Sequence, residues 1–233
     1  KLDDITLNSF GPYHEICQKR ITMENVLVVG ATGTTGKKVV ELLKTSQYFE
    51  PIAMVRKESQ IKEFSEQDIN TVLGNLEEDV LHTMSHIDKV VFAAGSGGTK
   101  VFEVDQEGAK KMIDASKNQS IKKFIMLSSM GADQPEKETE LKDYLRAKHN
   151  ADQYLRASNV PYVIIRPGSL TNEKGTGKIE VGKTLHKQGS ISRDDVAQVL
   201  VRTLDDDAPL NESFEILSGD LLIGSALGSI YKS

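Results

Sequence analysis

NVLVVGATGTTGKKVVELL, residues 25–43, is the stretch on which the fold turns. Residues 25–29 form an aliphatic, β-branched run the length of one strand, with none of the polar alternation of a half-exposed strand. The run passes directly into Gly30, Ala31, Thr32, Gly33, Thr34, Thr35 and Gly36, after which Val39, Val40, Leu42 and Leu43 recur at helical spacing. Strand, glycine turn and helix are the opening of a βαβ unit. Physically, one glycine lets the chain reverse, a second lets the backbone approach a pyrophosphate, and a third lets the helix pack tightly on the strand. The start of the helix then offers free N–H groups and a positive dipole end to phosphates. The spacing is G-x-x-G-x-x-G, not the G-x-G-x-x-G of the standard dinucleotide fingerprint. A Walker P-loop fails, because Gly36-Lys37 is followed by Lys38 and position 31 is alanine.

Working outward, short apolar runs alternate with longer amphipathic ones, the rhythm of an α/β, doubly wound parallel sheet of Rossmann type. Further strands are expected at 51–55, 70–73, 89–94, 123–127, 162–165 and 214–217, and helices at 36–43, 60–66, 78–85, 101–116, 143–157 and 193–204. Ser192, with Asp195 three residues on, has the form of a capping box for the last helix. Residues 168–190 read as loop-rich. The expected organisation is one domain over 23–233 with a small C-terminal substrate lid, preceded by a leader, 1–22, that is processed or foreign to the fold. His14 and Cys17 in that leader have no clustered partner ligands, so neither a metal nor a nucleophile is assigned there.

Composition narrows the function classes. Among 233 residues, 38% are hydrophobic and 27% charged, the balance of an ordinary globular protein. Lys and Arg number 29 against 34 Asp and Glu, a net charge of −5, and no long basic block is present, which argues against a nucleic-acid surface. A single cysteine excludes an internal disulfide framework, and no apolar run reaches the ~20 residues of a membrane span. The expectation is a cytoplasmic protein with a small-molecule substrate, no nucleic-acid or membrane partner and no resident metal. Its oligomeric state is left open.

The end of the second strand tests cofactor choice. A carboxylate there would bind a ribose 2′-hydroxyl and repel a 2′-phosphate. The sequence instead gives Arg56 and Lys57, with Ser59 beyond, a forked donor, a point charge and a hydroxyl suited to a phosphate. NADP is favoured over NAD, the alternative being two solvated cations after a strand.

VVGATGTTGKKVVELL, MVRKESQ, VVFAAGSG, FIMLSSMGA, YLRAK and YVIIRPGSLT occur in that order. Together they resemble the short-chain dehydrogenase/reductase superfamily, and more narrowly its atypical, NmrA-like and biliverdin-reductase-B-like members. The resemblance spans about residues 23–227. It implies that Gly30, Thr32, Gly33, Thr34, Thr35 and Gly36 hold the cofactor's phosphates, and that Ala93, Ala94 and Gly95 lie against its adenosine ribose and diphosphate. It also implies that Asn75 and Leu76 stand near the adenine, Asn75 where members commonly carry aspartate. Pro167 and Gly168, after Arg166, match the segment passing the nicotinamide.

The superfamily's chemistry uses a Tyr that exchanges a proton, a Lys one helical turn later that holds the ribose, and a Ser that orients the substrate oxygen. Tyr144 and Lys148 have that spacing, on a helix between the FIML and YVII strands where the resemblance puts it. An ammonium beside a phenol favours the ionised phenol. Ser128 and Ser129 end the preceding strand, with Ser129 the slightly preferred orienting hydroxyl. Asp105 matches an aspartate of atypical members that replaces the superfamily's active-site Asn, or else it is a first-turn acid serving the helix dipole.

Weaker candidates are set aside. His82 and His86, expected at i and i+4 on a helix, lack the base of H-E-x-x-H. Asp205, Asp206 and Asp207 read as a solvated helix end, and Lys174, Lys178, Lys183 and Lys187 as residues of a solvated loop. The short chain after Gly168 disfavours a bulky nucleotide-sugar substrate. The leading expectation is an NADP-dependent oxidoreductase acting on a small carbonyl, quinone or flavin-like compound. A non-catalytic NADP-binding regulator and an NAD(P)-dependent epimerase/dehydratase stand as alternatives.

Overall fold

In β1 (Glu24–Val29), Val26, Leu27, Val28 and Val29 are all buried, so neither face of this strand meets solvent. That is the signature of the middle of a sheet covered by helices on both sides. The computed structural model describes residues 23–137 and 139–230; residues 1–22, His14 and Cys17 among them, lie outside the described residues. The other strands are β2 (Phe49–Val55), β3 (Asn70–Leu73), β4 (Lys89–Phe92), β5 (Lys123–Leu127), β6 (Tyr162–Pro167), β7 (Ser169–Thr171), β8 (Lys178–Gly182), β9 (Ser190–Ser192), β10 (Glu212–Ser218) and β11 (Leu221–Leu222). The helices are α1 (Thr34–Lys44), α2 (Ile61–Ser65), α3 (Ala109–Asn118), α4 (Lys142–Ala157), α5 (Arg193–Arg202) and α6 (Ile223–Ile230).

The main sheet has nine strands in the order β11-β8-β10-β6-β5-β4-β1-β2-β3. The seven from β10 to β3 run parallel, while β8 is antiparallel to β10 and β11 antiparallel to β8. Alternate residues sort to opposite faces. Val26 and Val28 join Val39, Val40 and Leu43 of α1 and Val196, Val199 and Leu200 of α5 on one side. Leu27 and Val29 join Met112 and Ile113 of α3 and Leu155 of α4 on the other. The chain leaves β1 for β2 and returns to β4 on its far side, so a crevice opens at the carboxyl ends of β1 and β4, where doubly wound sheets bind ligands.

The α/β doubly wound architecture is as expected, with local differences. The helix expected over 78–85 is only a tight turn at Leu81–Met84. Asn75 and Asp79 accept hydrogen bonds from nearby backbone N–H groups, of Glu77 at 3.1 Å and Leu81 at 3.4 Å, which divert the backbone from a helix. His82 and His86 therefore share no helix face, and His86 sits in the left-handed region at φ 59°. The helix expected at 101–116 opens as a wide, π-type winding over Val101–Gly108 before α3 begins. The stretch 168–190, read as loop, contains β7, which pairs with β9, and β8, which joins the main sheet. Of the lysines read as loop residues, Lys178 lies on β8, while Lys183 and Lys187 remain exposed in the connection after it, Lys187 paired with Glu180 at 2.5 Å and Lys183 4.0 Å from Glu212.

The acid run is likewise more than a solvated end. Lys89 Nζ, 1% exposed, reaches Asp206 Oδ1 at 2.8 Å, the carbonyl of Leu204 at 2.8 Å and Glu24 Oε2 at 2.6 Å. Lys123 Nζ donates to the carbonyls of Thr203 and Asp205. Two lysines at the amino ends of β4 and β5 thus neutralise the carbonyl end of α5. Among the described residues, no helix is long and apolar enough to cross a membrane.

Candidate functional site

The turn after β1 shows why its glycines are required. Gly30 has φ 88°, and a Cβ on it would lie 2.6 Å from the Ala94 nitrogen, because the ends of β1 and β4 come that close. A Cβ on Gly36 would lie 2.0 Å from the Gly30 carbonyl oxygen, so α1 packs directly on the turn. Gly33 is the N-terminal flanking residue of α1, which has no side-chain cap and no acidic residue in its first turn. The first N–H groups of α1 are therefore left for an anion.

These groups open on a cleft of about 610 Å³. Gly30, Thr32, Gly33, Thr34, Thr35, Arg56, Asn75, Leu76, Ala93, Ala94, Gly95, Asp105, Ser128, Tyr144 and Lys148 all line it. Gly36 does not, being spent on packing, and neither does Lys57. The backbone N–H groups of Arg56 and Lys57 both donate to Gln60 Oε1, at 3.1 and 2.9 Å, which fixes the turn that carries Arg56. Ser129, Pro167 and Gly168 line a second cavity of about 810 Å³ instead. Ser128, Leu141, Tyr144 and Leu170 are common to both, so the two cavities meet at Tyr144.

Asp105 is 1% exposed and does not act as a simple helix-dipole acid. Its Oδ2 accepts from the backbone N–H of Ser96 at 2.9 Å, and its Oδ1 lies 3.2 Å from Lys148 Nζ. The carboxylate thus holds the loop after β4 and the ammonium of α4 together. The π-type winding of 101–108 carries it. Burial alone would disfavour a charge on Lys148, but Tyr144 and Asp105 outweigh that and hold its ammonium above the ordinary lysine range. Lys148 Nζ stands 5.7 Å from the Tyr144 ring centroid. Among the described residues the Tyr144 hydroxyl makes no hydrogen bond.

The two serines differ. Ser128, buried, donates to Asp152 Oδ2 at 3.0 Å, and the same oxygen accepts from Arg166 Nη2 at 2.8 Å and Nε at 3.1 Å. Asp152 is wholly buried, and burial keeps its carboxyl above the usual range although Arg166 and Ser128 pull the other way. Ser129 is half-buried and bonded only to the neighbouring Met130 carbonyl at 3.2 Å.

Sequence reasoning missed Gln60, Asp152 and Arg193, of which Gln60 and Arg193 line the first cleft. Asp152 carried a readable signal, since Tyr144, Lys148 and Asp152 follow one another at i+4 along a single face of α4. Among the described residues no group of three or more His, Cys, Asp or Glu comes together as a metal site.

The uncapped α1, the obligatory glycines and the cleft at the β1/β4 switch point suit a nicotinamide dinucleotide, and comparison with known proteins agrees. A family profile for NAD(P)H-binding proteins matches residues 30–207. A Bacillus subtilis (strain 168) protein named as an uncharacterized sugar epimerase, YhfK, is 41% identical over 210 residues, covering 87% of this chain and 98% of its own. The solved structure of the oxidoreductase ylbE from Lactococcus lactis is similar with a TM-score of 0.82 at 31% identity, over 90% of this chain and 97% of that one. The NAD(P)H azoreductase of Xenophilus azovorans is 26% identical over 221 residues, 88% of this chain and 71% of its own.

Proposed function

Because the chain belongs to the NAD(P)H-binding family, within the atypical short-chain dehydrogenase/reductases, we propose that it is an NADP-dependent oxidoreductase acting on a small carbonyl, quinone or flavin-like compound. The observation that carries this reading is Tyr144 in the wall common to both cavities. When bound, the nicotinamide nucleotide supplies or accepts the hydride. The Tyr144 hydroxyl gives its proton to the substrate oxygen in reduction and takes one back in oxidation. Lys148, one helical turn away, keeps a positive charge beside the phenolate that remains. Ser129 lines the second cavity; its hydroxyl proton, given to the neighbouring Met130 carbonyl in a long 3.2 Å bond, turns to the substrate oxygen to orient it. Ser128 has one hydroxyl proton and directs it at Asp152, so toward the cleft it offers only lone pairs. The preference for NADP rests on Arg56, which lines the cleft where a carboxylate would select NAD. The reductase names among the relatives support the reaction class.

A second reading, an NADP-binding regulator without turnover, is favoured by one observation. Lys148, although it lines the cleft, is buried and its ammonium is committed to Asp105 at 3.2 Å. The test is NADPH oxidation over a panel of aldehydes, ketones, quinones and flavins, with NADH as control and Tyr144→Phe beside the parent. Turnover preferring NADPH and falling by about a hundredfold or more in the variant is expected. Saturable NADPH binding with no turnover across the panel supports the regulator, and unchanged turnover in Tyr144→Phe rejects Tyr144 as proton donor.

A further inference from the structure

The cofactor-side cleft carries a charge pattern that the glycine turn does not explain. Its acidic and basic lining residues are Asp105, Lys148, Arg56 and Arg193. Asp105 and Lys148 neutralise each other at 3.2 Å. Among the described residues neither Arg56 nor Arg193 has a carboxylate within ion-pair distance, although Glu77 feels the charge of Arg56, so the cleft is a positive spot on a chain of net charge −5. The two arginines sit at different places. Arg56 follows β2, beside Gln60, at the end where the 2′-phosphate is expected. Arg193 is the first residue of α5, and its neighbour Asp194 is paired with Lys38 of α1 at 2.6 Å. That pair holds the start of α5 against the first turns of α1, whose N-terminus is the phosphate site.

The guanidinium of Arg193 is held from behind. Its Nη1 donates to the Leu170 carbonyl at 3.2 Å and to Asn172 Oδ1 at 2.8 Å. Among the described residues Nε and Nη2 make no hydrogen bond, leaving donors in fork geometry at the cleft. The next two residues organise the segment that follows. Asp194 accepts from the Gly175 N–H at 2.9 Å, and Asp195 from those of Thr176 and Gly177 at 3.1 and 2.7 Å. Leu170, to which Arg193 is tied, lines both cavities.

We propose that Arg193 is a second anion-binding arginine of the cofactor site, directed at the diphosphate, and that through Leu170 and Asn172 it couples cofactor binding to the position of the substrate-side segment 170–177. The inference rests on the reading of the cleft as a dinucleotide site, but not on the preference for NADP. A charge-assisted fork to a diphosphate is a strong contact, and its removal is expected to weaken binding about ten- to a hundredfold.

The experiment is calorimetric titration of the parent, Arg193→Gln, Arg193→Lys and Asn172→Ala with NADPH, NADH, ADP-ribose and adenosine 2′-phosphate. Arg193→Gln should weaken NADPH, NADH and ADP-ribose alike and leave adenosine 2′-phosphate, which has no diphosphate, unchanged. Arg193→Lys, which keeps the charge and loses the fork, should fall between parent and Gln. Asn172→Ala removes a tie but no charge and should keep the parent's affinity for ADP-ribose. Unchanged ADP-ribose binding in Arg193→Gln overturns the proposal, as does an equal loss for adenosine 2′-phosphate or an equal loss in Asn172→Ala. If Arg193→Gln does not fold, parent-like ADP-ribose affinity in Arg193→Lys overturns the fork, and a three- to tenfold loss there supports it. A parent that binds NADH as well as NADPH rejects the Arg56 assignment alone, while a parent that binds no nucleotide rejects the dinucleotide site and this proposal with it.

Discussion

Arg166→Met would expose how the substrate-side wall is held together. The guanidinium makes two bonds, at 2.8 and 3.1 Å, to one oxygen of Asp152, a carboxylate with no solvent contact. Its other oxygen, Oδ1, has no hydrogen-bond partner, and without the arginine Ser128 is the one remaining hydrogen-bond donor to the carboxylate among the described residues. Methionine fills much of the same volume but leaves the buried carboxylate without its ion-pair partner, at a cost of about 3–5 kcal/mol. At roughly 2–4 °C per kcal/mol for a chain of this size, that is about 6–20 °C in melting temperature. The loss should depend on pH with a definite sign. Burial already holds the Asp152 carboxyl above the ordinary range, so the folded protein binds that proton more tightly than the unfolded chain does. This stabilisation is complete below the ordinary value of ~3.9 and is lost as pH rises through the folded value. Removing Arg166 raises the folded value further, so the deficit against the parent should grow as pH rises from 5 to 8. Urea melts at both pH values, on Arg166→Met, Asp152→Leu and the double variant, measure it. The double variant should be less damaged than either single change, because no buried charge remains. A deficit at pH 8 below about 1 kcal/mol, one equal at both pH values, or additive single losses would refute the argument.

Two further outcomes test the frame of the site. Gly36→Ala places a Cβ 2.0 Å from the Gly30 carbonyl oxygen, so α1 must lift from the turn; the expected cost is about 3 kcal/mol by urea melt, with loss of NADPH binding in a fluorescence titration. Lys89→Met keeps the buried stem but leaves the Leu204 carbonyl without its donor, and should cost about 1–3 kcal/mol while nucleotide affinity stays at the parent's value.

What could be read from the sequence was what local chemistry determines. β1, its glycine turn and α1 are contiguous, and each glycine's task follows from the geometry of one turn. β4, β5 and β6 announce themselves as apolar runs because both their faces are covered. Tyr144 and Lys148 are legible for the same reason, being one turn apart on one helix. Features settled by distant partners were not legible. β8 is a strand because β10 offers it an edge, and Lys178, Glu180 and Gly182 give no such hint alone. Residues 101–108 have helical periodicity, yet Asp105 is drawn to Ser96 and Lys148, and the winding widens. Arg193 reads as an ordinary first-turn residue until β9 and α1 bring it to the cleft. Asp152 sat on the right helical face of α4, but its importance comes from Arg166, on strand β6.

The lysine anchors beneath the sheet also make α5 a ruler. Lys89 and Lys123 begin the strands β4 and β5 whose far ends carry Ala93, Ala94, Gly95 and Ser128, and both lysines grip the tail of α5. Ten residues of helix measure about 15 Å, close to the roughly 13 Å of a four-residue strand, so the head of α5 arrives level with the nucleotide loops. Length and phase are then both specified. One residue inserted into α5, with its tail still gripped, would turn Arg193 about 100° around the helix axis and move it about 1.5 Å along it. Insertions and deletions should therefore be excluded from the helix and from residues 203–205, whose carbonyls the two lysines hold.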